Sequence, residues 1–544
     1  MKSDVDFILI SQSEVVNYSQ YSELPLDRID MYRELVFPRM IYYRDAFRSP
    51  IDLLNMLRDG VSFQDASYEM RRRLLSVWNL PSLSGMHIAN YLLAHGFQTC
   101  IINNFDAEFD RFHEVYTACK TPPLVGISST FHLSFSELKR IIGHLRKVDP
   151  EMEIVVGGAF ANAVVQNAPV ERFEKPMRRF GIDYILHGFN SETDLRDLLM
   201  KRGNGGLQDI SNMAYLERRN SGDAIFQTTK SQWHPAVLNE MPALWDQLDL
   251  PFVNRTVQLR TSSGCPFSCA FCSYPKVAHG FHLMDAGILE RQIQSVLKVP
   301  GIRQIVFVDD TFNVPRVRFK ELCRLFSKYE FDWFSFLRVQ FIDDEIAQLM
   351  RESGCRAVYL GIESASDQVL RNMNKRATRE DYERGIRSLR KYGIRTVAAF
   401  VIGFPGENER TLRENQDFIE SSGIDYYTLK EFYYMEHTPI HSDRERYKLT
   451  GSGNKWSHET MNSVQAYEAK IGLFQEIKNS CFIDPDTSLW NLVVLLDAGF
   501  SLDQAQLIQR EINVILREQL NGSYDSSHPA FGRLKELVAG QEAP

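Results

Sequence analysis

The chain has 544 residues, 44% of them hydrophobic, and a formal net charge of −8, which is enough apolar material for roughly two to four domains with their own cores. The acidic balance gives no bulk attraction for nucleic acid, and no run nears the ~20 apolar residues of a membrane-spanning helix. The opening MKSDVDFILISQSEVV carries one lysine and a four-residue apolar run, short of a secretory signal. The expectation is a cytoplasmic protein with neither nucleic acid nor membrane as partner.

Residues 1–75 begin with a strand-like FILI and continue rich in aromatics and arginines, an N-terminal extension without an assigned role. From residue 76 the pattern alternates. SLSGMHIANYLLAHG reads as a helix ending at Gly96, QTCIINNF and PPLVGISSTF as strands, and SFSELKRIIGHLRKV as a helix. EIVVGGAF is a further strand, and IDYILHGFNSETDLRDLLM a strand entering a helix. Continuous apolar strands between amphipathic helices predict a parallel sheet covered on both faces, a doubly wound Rossmann-like α/β domain over 76–235. Ligands of such sheets sit beyond the carboxyl strand ends, where this chain places Ser128, Ser129 and Thr130, then Gly157 and Gly158, then Gly188. One Gly-Gly also serves a tight turn; three successive ends of small residues favour a large flat ligand.

A second alternation starts near 256. Strand-like runs at 257–262, 304–310, 333–339, 357–364, 396–404 and 425–434 are separated by helical patterns. Six such units in series predict a partial (β/α)6 barrel over 236–440, with its chemistry at the carboxyl strand ends. Beyond 440 the periodicity is helical, with Ser501 as an N-cap and Gly522 as a stop, which predicts a helical C-terminal domain over 441–544.

Cysteines 100, 119, 323, 355 and 481 are scattered singly and read as buried free thiols. Cys265, Cys269 and Cys272 stand together in SSGCPFSCAFCSYP, after the first barrel strand. A structural zinc site is closed by four ligands, and the nearest candidate fourth, His279, has no further metal spacing around it. A four-iron cluster held by three thiolates would leave one iron open to a small molecule. The spacing alone leaves cluster, zinc and a purely structural role open. The other strand ends supply Asp309 and Asp310 for an ammonium group, and Ser335 and Arg338, the arginine suited to a carboxylate. They also supply Glu363 for ribose hydroxyls, and Gly403, Gly406 and Glu407 to line an adenine. Each acid alone also reads as a helix cap; together they surround the mouth of one barrel.

CPFSCAFC followed by VFVDDTF, GIES and GFPGE resembles the radical S-adenosylmethionine superfamily over roughly residues 250 to 435. The resemblance implies that Cys265, Cys269 and Cys272 ligate a [4Fe-4S] cluster whose open iron chelates S-adenosylmethionine, with Phe271 near the adenine. Reductive cleavage would then give a 5′-deoxyadenosyl radical, with the electron drawn from a donor such as flavodoxin or ferredoxin. Where many members have Gly-Gly-Glu at the second strand, this chain has Asp309-Asp310-Thr311, as cobalamin-associated members do.

GISSTF, VVGGAFAN and IDYILHGFNSETDLRDLL resemble the cobalamin-binding domain of the same subclass, in the same chain order. None of the histidines stands in the D-x-H-x-x-G pattern that coordinates cobalt in methionine-synthase-like domains. NKWSHETMNSVQAYEAKIG resembles the C-terminal part of the phosphinate P-methyltransferase group. The implied activity is methyl transfer from methylcobalamin to an unactivated carbon or a phosphinate phosphorus of a small natural-product molecule, with Tyr433, Glu436 and His458 as catalytic candidates. Trp456 and His458 also read as core and cap residues; Tyr434 and His437 are weighed alongside. Alternatives are a non-methylating rearrangement or cyclisation with the same cofactors, an RNA-modifying or methylthiolating protein on the same barrel, and a non-catalytic sensor.

Overall fold

The computed structural model describes residues 4–14, 37–132, 134–218, 224–234, 238–240, 242–251 and 253–539. Much of the expected N-terminal extension, residues 15–36, lies outside them. The chain divides into two compact units, one of Met1–Asn17, Gln64–Val253 and Gly287–Ile302, the other of Tyr18–Phe63, Asn254–Ala286 and Arg303–Pro544.

In the first unit, β1 (Phe7–Gln12), β2 (Thr99–Asn104), β3 (Leu124–Ser128), β4 (Ile154–Gly157) and β5 (Tyr184–Leu186) form a parallel sheet in the order β2-β1-β3-β4-β5. Two further strands, β6 (Met213–Arg218) and β7 (Ala224–Thr228), add antiparallel at its edge. The FILI strand is thus no extension: β1 pairs with β2 on one side and β3 on the other, and all six of its residues are buried. Its uninterrupted apolar run is what a strand covered on both faces requires. Ile8 and Ile10 pack into one core with Phe105, Phe112 and Leu138, while Phe7 and Leu9 enter a second with Leu92 and Leu198. The chain reverses its winding between β1 and β3, and this switch point opens the crevice in which doubly wound sheets take ligands.

In the second unit, β8 (Thr256–Leu259), β9 (Gln304–Phe307), β10 (Asp332–Leu337), β11 (Cys355–Glu363), β12 (Arg395–Ile402) and β13 (Tyr426–Glu431) are the six expected barrel strands, all parallel and in sequence order. A seventh, β14 (Cys481–Phe482), extends the sheet beyond β13. The segment after 440 is largely helical, as expected, and this one short strand of it also joins the barrel sheet. The segment also carries three short antiparallel strands at Thr450–Ser452, Lys455–His458 and Met461–Asn462. The edge of β14 is covered by the helix Leu502–Leu520, where Asn513 Oδ1 accepts the Phe482 N–H at 2.7 Å and Asn513 Nδ2 donates to the Phe482 carbonyl at 2.8 Å.

Seven strands in this order leave a seam between β8 and β14. The largely buried helix Ser488–Asp497 follows the last strand in the chain and reaches the foot of the first. At its far end Asp497 accepts the Arg255 N–H at 3.0 Å, and its carbonyl receives Asn254 Nδ2 at 2.9 Å. Near its start Trp490 lies 6.4 Å from Phe336, ring to ring. The inward face stays open: at alternating strand positions Gln258, Phe336, Tyr359 and Val401 are partly accessible, whereas most of their outward neighbours are buried. Among the described residues no helix is long and apolar enough to cross a membrane.

Candidate active site at the barrel mouth

The cysteine loop follows β8 and is framed by a two-strand ladder, Ser262–Gly264 against Phe281–Leu283. Cys269 is buried, while Cys265 and Cys272 are half-buried. Burial pushes the Cys272 thiol up, and the neighbouring Cys269 and Cys265 raise it further. Cys265 Sγ is 3.3 Å from Thr311 Oγ1, beyond β9. Arg338, beyond β10, brings Nη2 to 3.8 Å from Cys269 Sγ and sets its guanidinium 3.8 Å from the centre of the Phe267 ring. The same Nη2 donates to the Lys375 carbonyl, and Arg338 Nε is buried without a partner.

Among the described residues no group of three or more His, Cys, Asp or Glu side chains converges as one metal ion would require. A closed zinc site demands such convergence; a cubane spreads its thiolates over separate corners. Three clustered thiols, a cation against one of them and an orphaned guanidinium nitrogen fit an anionic iron–sulfur cluster.

The remaining predicted contacts divide. Asp310 is reached by solvent yet closely surrounded by protein, which raises its pKa to about 6; Tyr274 donates to its carboxylate and Arg260 lies near. That arrangement suits a ligand's ammonium group. Asp309 does not: it is buried, and its carboxylate accepts the Thr261 N–H at 3.0 Å, the Thr261 hydroxyl at 3.1 Å and the Ser262 hydroxyl. It ties down the turn leading to the cysteines.

Ser335 is likewise inside the sheet, donating to the Phe307 carbonyl at 2.9 Å. Glu363 ends β11 in a left-handed conformation, φ 64°, with one oxygen held 2.9 Å from Lys375 Nζ, so only part of it is available to a ribose. Phe271 stands edge-on to Phe404 at 6.3 Å. Gly403 cannot present open backbone to an adenine. Its N–H goes to Glu407, its carbonyl lies 3.0 Å from His458 Nε2, and a Cβ there would come within 2.5 Å of Trp456.

His458 is correspondingly a pin rather than a catalytic group. It is buried, stacked on Trp456 at 5.1 Å, and its Nδ1 accepts the Thr460 N–H at 3.3 Å, which leaves the Nε2 proton for Gly403. Trp456 donates Nε1–H to the Phe432 carbonyl at 2.6 Å. Tyr433 and Glu436 are exposed; their turn reaches the cysteine loop through Ile440, whose N–H donates to the Ala270 carbonyl at 2.8 Å. Lys375, Arg260, Tyr274 and Phe267 went unread in the sequence. Phe267 lies inside the cysteine motif itself; the other three follow no recognisable spacing.

In the first unit, Ser128, Thr130, Gly157, Gly158 and Gly188 form an accessible ledge at the strand ends. Gly158 has φ 103°, and a Cβ there would stand 2.9 Å from the Thr130 nitrogen. Ser129 is instead structural: buried, it donates to the Gly157 carbonyl at 2.7 Å and accepts the Ala161 N–H at 3.1 Å. Beside it His132 is buried with Nδ1 unpartnered. Just past the end of β1 stands a further polar group. Glu14 accepts from Ser76 at 2.6 Å and Asn104 at 3.0 Å, and burial raises its pKa to about 7.

Residues 259–419 match the family model of the Radical SAM superfamily. The uncharacterized methyltransferase PH0819 of Pyrococcus horikoshii is 33% identical over 171 residues, 30% of this chain and 37% of that protein. The anaerobic magnesium-protoporphyrin IX monomethyl ester cyclase of Rubrivivax gelatinosus is 26% identical over 352 residues, 62% of this chain and 61% of that one. The chain thus spans only part of the length of these two curated relatives. A solved structure of the cobalamin-dependent S-adenosylmethionine radical enzyme OxsB with aqua-cobalamin bound matches with a TM-score of 0.54 at 14% identity, covering 86% of this chain and 83% of that one. That likeness extends the shared fold over both units. The three cysteines of the barrel loop, Cys265, Cys269 and Cys272, lie inside the segment that matches the Radical SAM superfamily model.

Proposed function

We propose that this protein is a cobalamin-dependent radical S-adenosylmethionine methyltransferase acting on a small molecule. The observation that carries the proposal is the trio Cys265, Cys269 and Cys272, grouped on one loop at the barrel mouth without single-ion convergence and faced by Arg338. A bound cluster would supply the electron that splits the sulfonium of S-adenosylmethionine, and bound cobalamin a transferable methyl group. The chain's own residues position and exclude. Asp310, backed by Tyr274 and Arg260, offers a carboxylate to the ammonium group of S-adenosylmethionine. Asp309 fixes the turn from which the cysteine loop departs. The helix Ser488–Asp497, whose start meets Phe336 and Tyr359 on the inward face, limits water in the lumen.

The ledge at Ser128, Thr130, Gly157, Gly158 and Gly188 supports cobalamin binding in the first unit, at the crevice its winding creates. Methylation of an unactivated carbon or of a phosphinate phosphorus is the finer proposal. A second reading, cyclisation or rearrangement without methyl transfer, draws support from the long match to the cyclase.

Anaerobic reconstitution with iron, sulfide and hydroxocobalamin, followed by turnover with S-adenosylmethionine deuterated in its methyl group, tests both. The expected result is both chromophores bound and label appearing in a small-molecule product of a cell extract. Deoxyadenosine formation with an unlabelled, cyclised product would favour the second reading. A chain that binds no cluster would end both.

A further inference from the structure

We infer that the solvent face of the cysteine loop, formed by Ser268, Lys276, Arg371, Asn374 and Arg376, is the docking site of a small acidic one-electron carrier protein. The inference rests on the proposed function, because reductive cleavage needs one electron delivered to the cluster at each initiation. That electron leaves the reduced carrier and enters the cluster; the carrier is oxidised by one electron, and no bond or proton moves between the partners.

Three observations locate the face. First, its segments are stitched together around the cysteines. The Ala270 N–H donates to the Met373 carbonyl at 2.8 Å, and Asn374 Nδ2 donates to the Ser268 carbonyl at 2.9 Å and to its hydroxyl at 3.1 Å. Lys276 Nζ donates to the His437 carbonyl at 3.1 Å. Asn374 and Arg376 both hold left-handed backbone, φ 51° and 55°, conformations that cost energy in non-glycine residues and persist where contacts enforce them.

Second, the face is exposed while the ligand beneath it is not. Ser268, Lys276, Arg371, Asn374 and Arg376 are open to solvent, whereas Cys269, one residue from Ser268, is buried. Third, the charge is uncompensated. Among the described residues Lys276, Arg371 and Arg376 form no ion pair, although many cations of this unit do, among them Arg316, Lys320, Lys391 and Arg395. The neighbouring turn 435–440 contributes one acid, Glu436. In a chain of net charge −8, three cations without an acidic partner among the described residues, on the loop that holds the buried Cys269 and the segments bonded to it, would attract an acidic protein and orient it there.

The test compares the wild-type full chain with the double variant Arg371→Glu, Arg376→Glu, both reconstituted anaerobically. Cluster reduction is followed by absorbance after mixing with reduced flavodoxin, and separately with photoreduced deazaflavin, a small reductant that needs no docking face. The expected result is a fall of about tenfold or more in the flavodoxin rate at low salt, an unchanged deazaflavin rate, and loss of the salt dependence shown by the wild type. An unchanged flavodoxin rate overturns the inference. Equal slowing with both reductants also overturns it, since the arginines would then act on the cluster itself. A wild-type chain that takes up no cluster overturns it together with the proposed function, whereas a wild type reduced by both agents isolates the docking question.

Discussion

Replacing His458 by alanine separates a structural from a catalytic histidine. The ring is buried, stacked on Trp456, and bonded through Nε2 to the Gly403 carbonyl at 3.0 Å. Its removal deletes one hydrogen bond and orphans a buried carbonyl, a loss of about 1–3 kcal/mol. It also deletes a ring pair of roughly 0.5–1.5 kcal/mol. Together these predict about 1.5–4.5 kcal/mol of destabilisation, read as a lower urea midpoint, while deoxyadenosine formed per folded molecule stays within about twofold, equivalent to under ~0.5 kcal/mol. The pH dependence follows from the same burial, which lowers the His458 pKa. The unfolded chain then binds more protons between that lowered value and about 6.5. Stability from this site therefore rises with pH through the window, is complete above it, and is lost as pH falls. His458→Ala should flatten that part of the profile. A variant with the wild-type midpoint and deoxyadenosine formation down by about 100-fold, the scale of a lost acid–base group, would refute the assignment.

The two adjacent aspartates should respond in opposite ways. Asp309→Asn should lower stability by roughly 1–3 kcal/mol, since a neutral amide cannot satisfy all three buried donors that now meet the carboxylate. Asp310→Asn should leave the urea midpoint within about 0.5 kcal/mol and weaken S-adenosylmethionine binding measured by equilibrium dialysis; unchanged binding would remove Asp310 from the site. Gly403→Ala combines a left-handed φ of 88° with a Cβ 2.5 Å from Trp456. It should cost more than about 2 kcal/mol in thermal or urea unfolding, and wild-type stability would disprove the packing described around that turn.

The sequence was most informative where periodicity and burial agree. The six strands of the barrel and four of the strands in the first sheet stand where apolar runs between amphipathic helices placed them. FILI had the right pattern, but its partner strand lies about ninety residues later, and no local signal links β1 to β2. The two-residue β14 is too short to carry a period at all. At the site, motif spacing located the thiols and the strand-end positions, yet it could not tell which way each side chain turns. Asp309 and Asp310 are neighbours with similar chemistry; only the nearby Thr261 and Ser262 hydroxyls decide that one is a clamp and the other faces solvent. His458 shows the same limit, because a buried pin and a general base look alike until the stack on Trp456 is seen.

The helix Ser488–Asp497 also bears on how the protein is made. Its contacts to Asn254 and Arg255 join residues more than two hundred positions apart, the kind of long loop closure that slows folding. All six preceding barrel strands leave the ribosome before the segment that joins first to last exists. During that interval the nascent sheet has two raw borders and an uncovered apolar interior, the condition in which chains pair wrongly with one another. Chaperone dependence and poor recovery from denaturant are the expected hallmarks of a barrel whose final stave arrives so late.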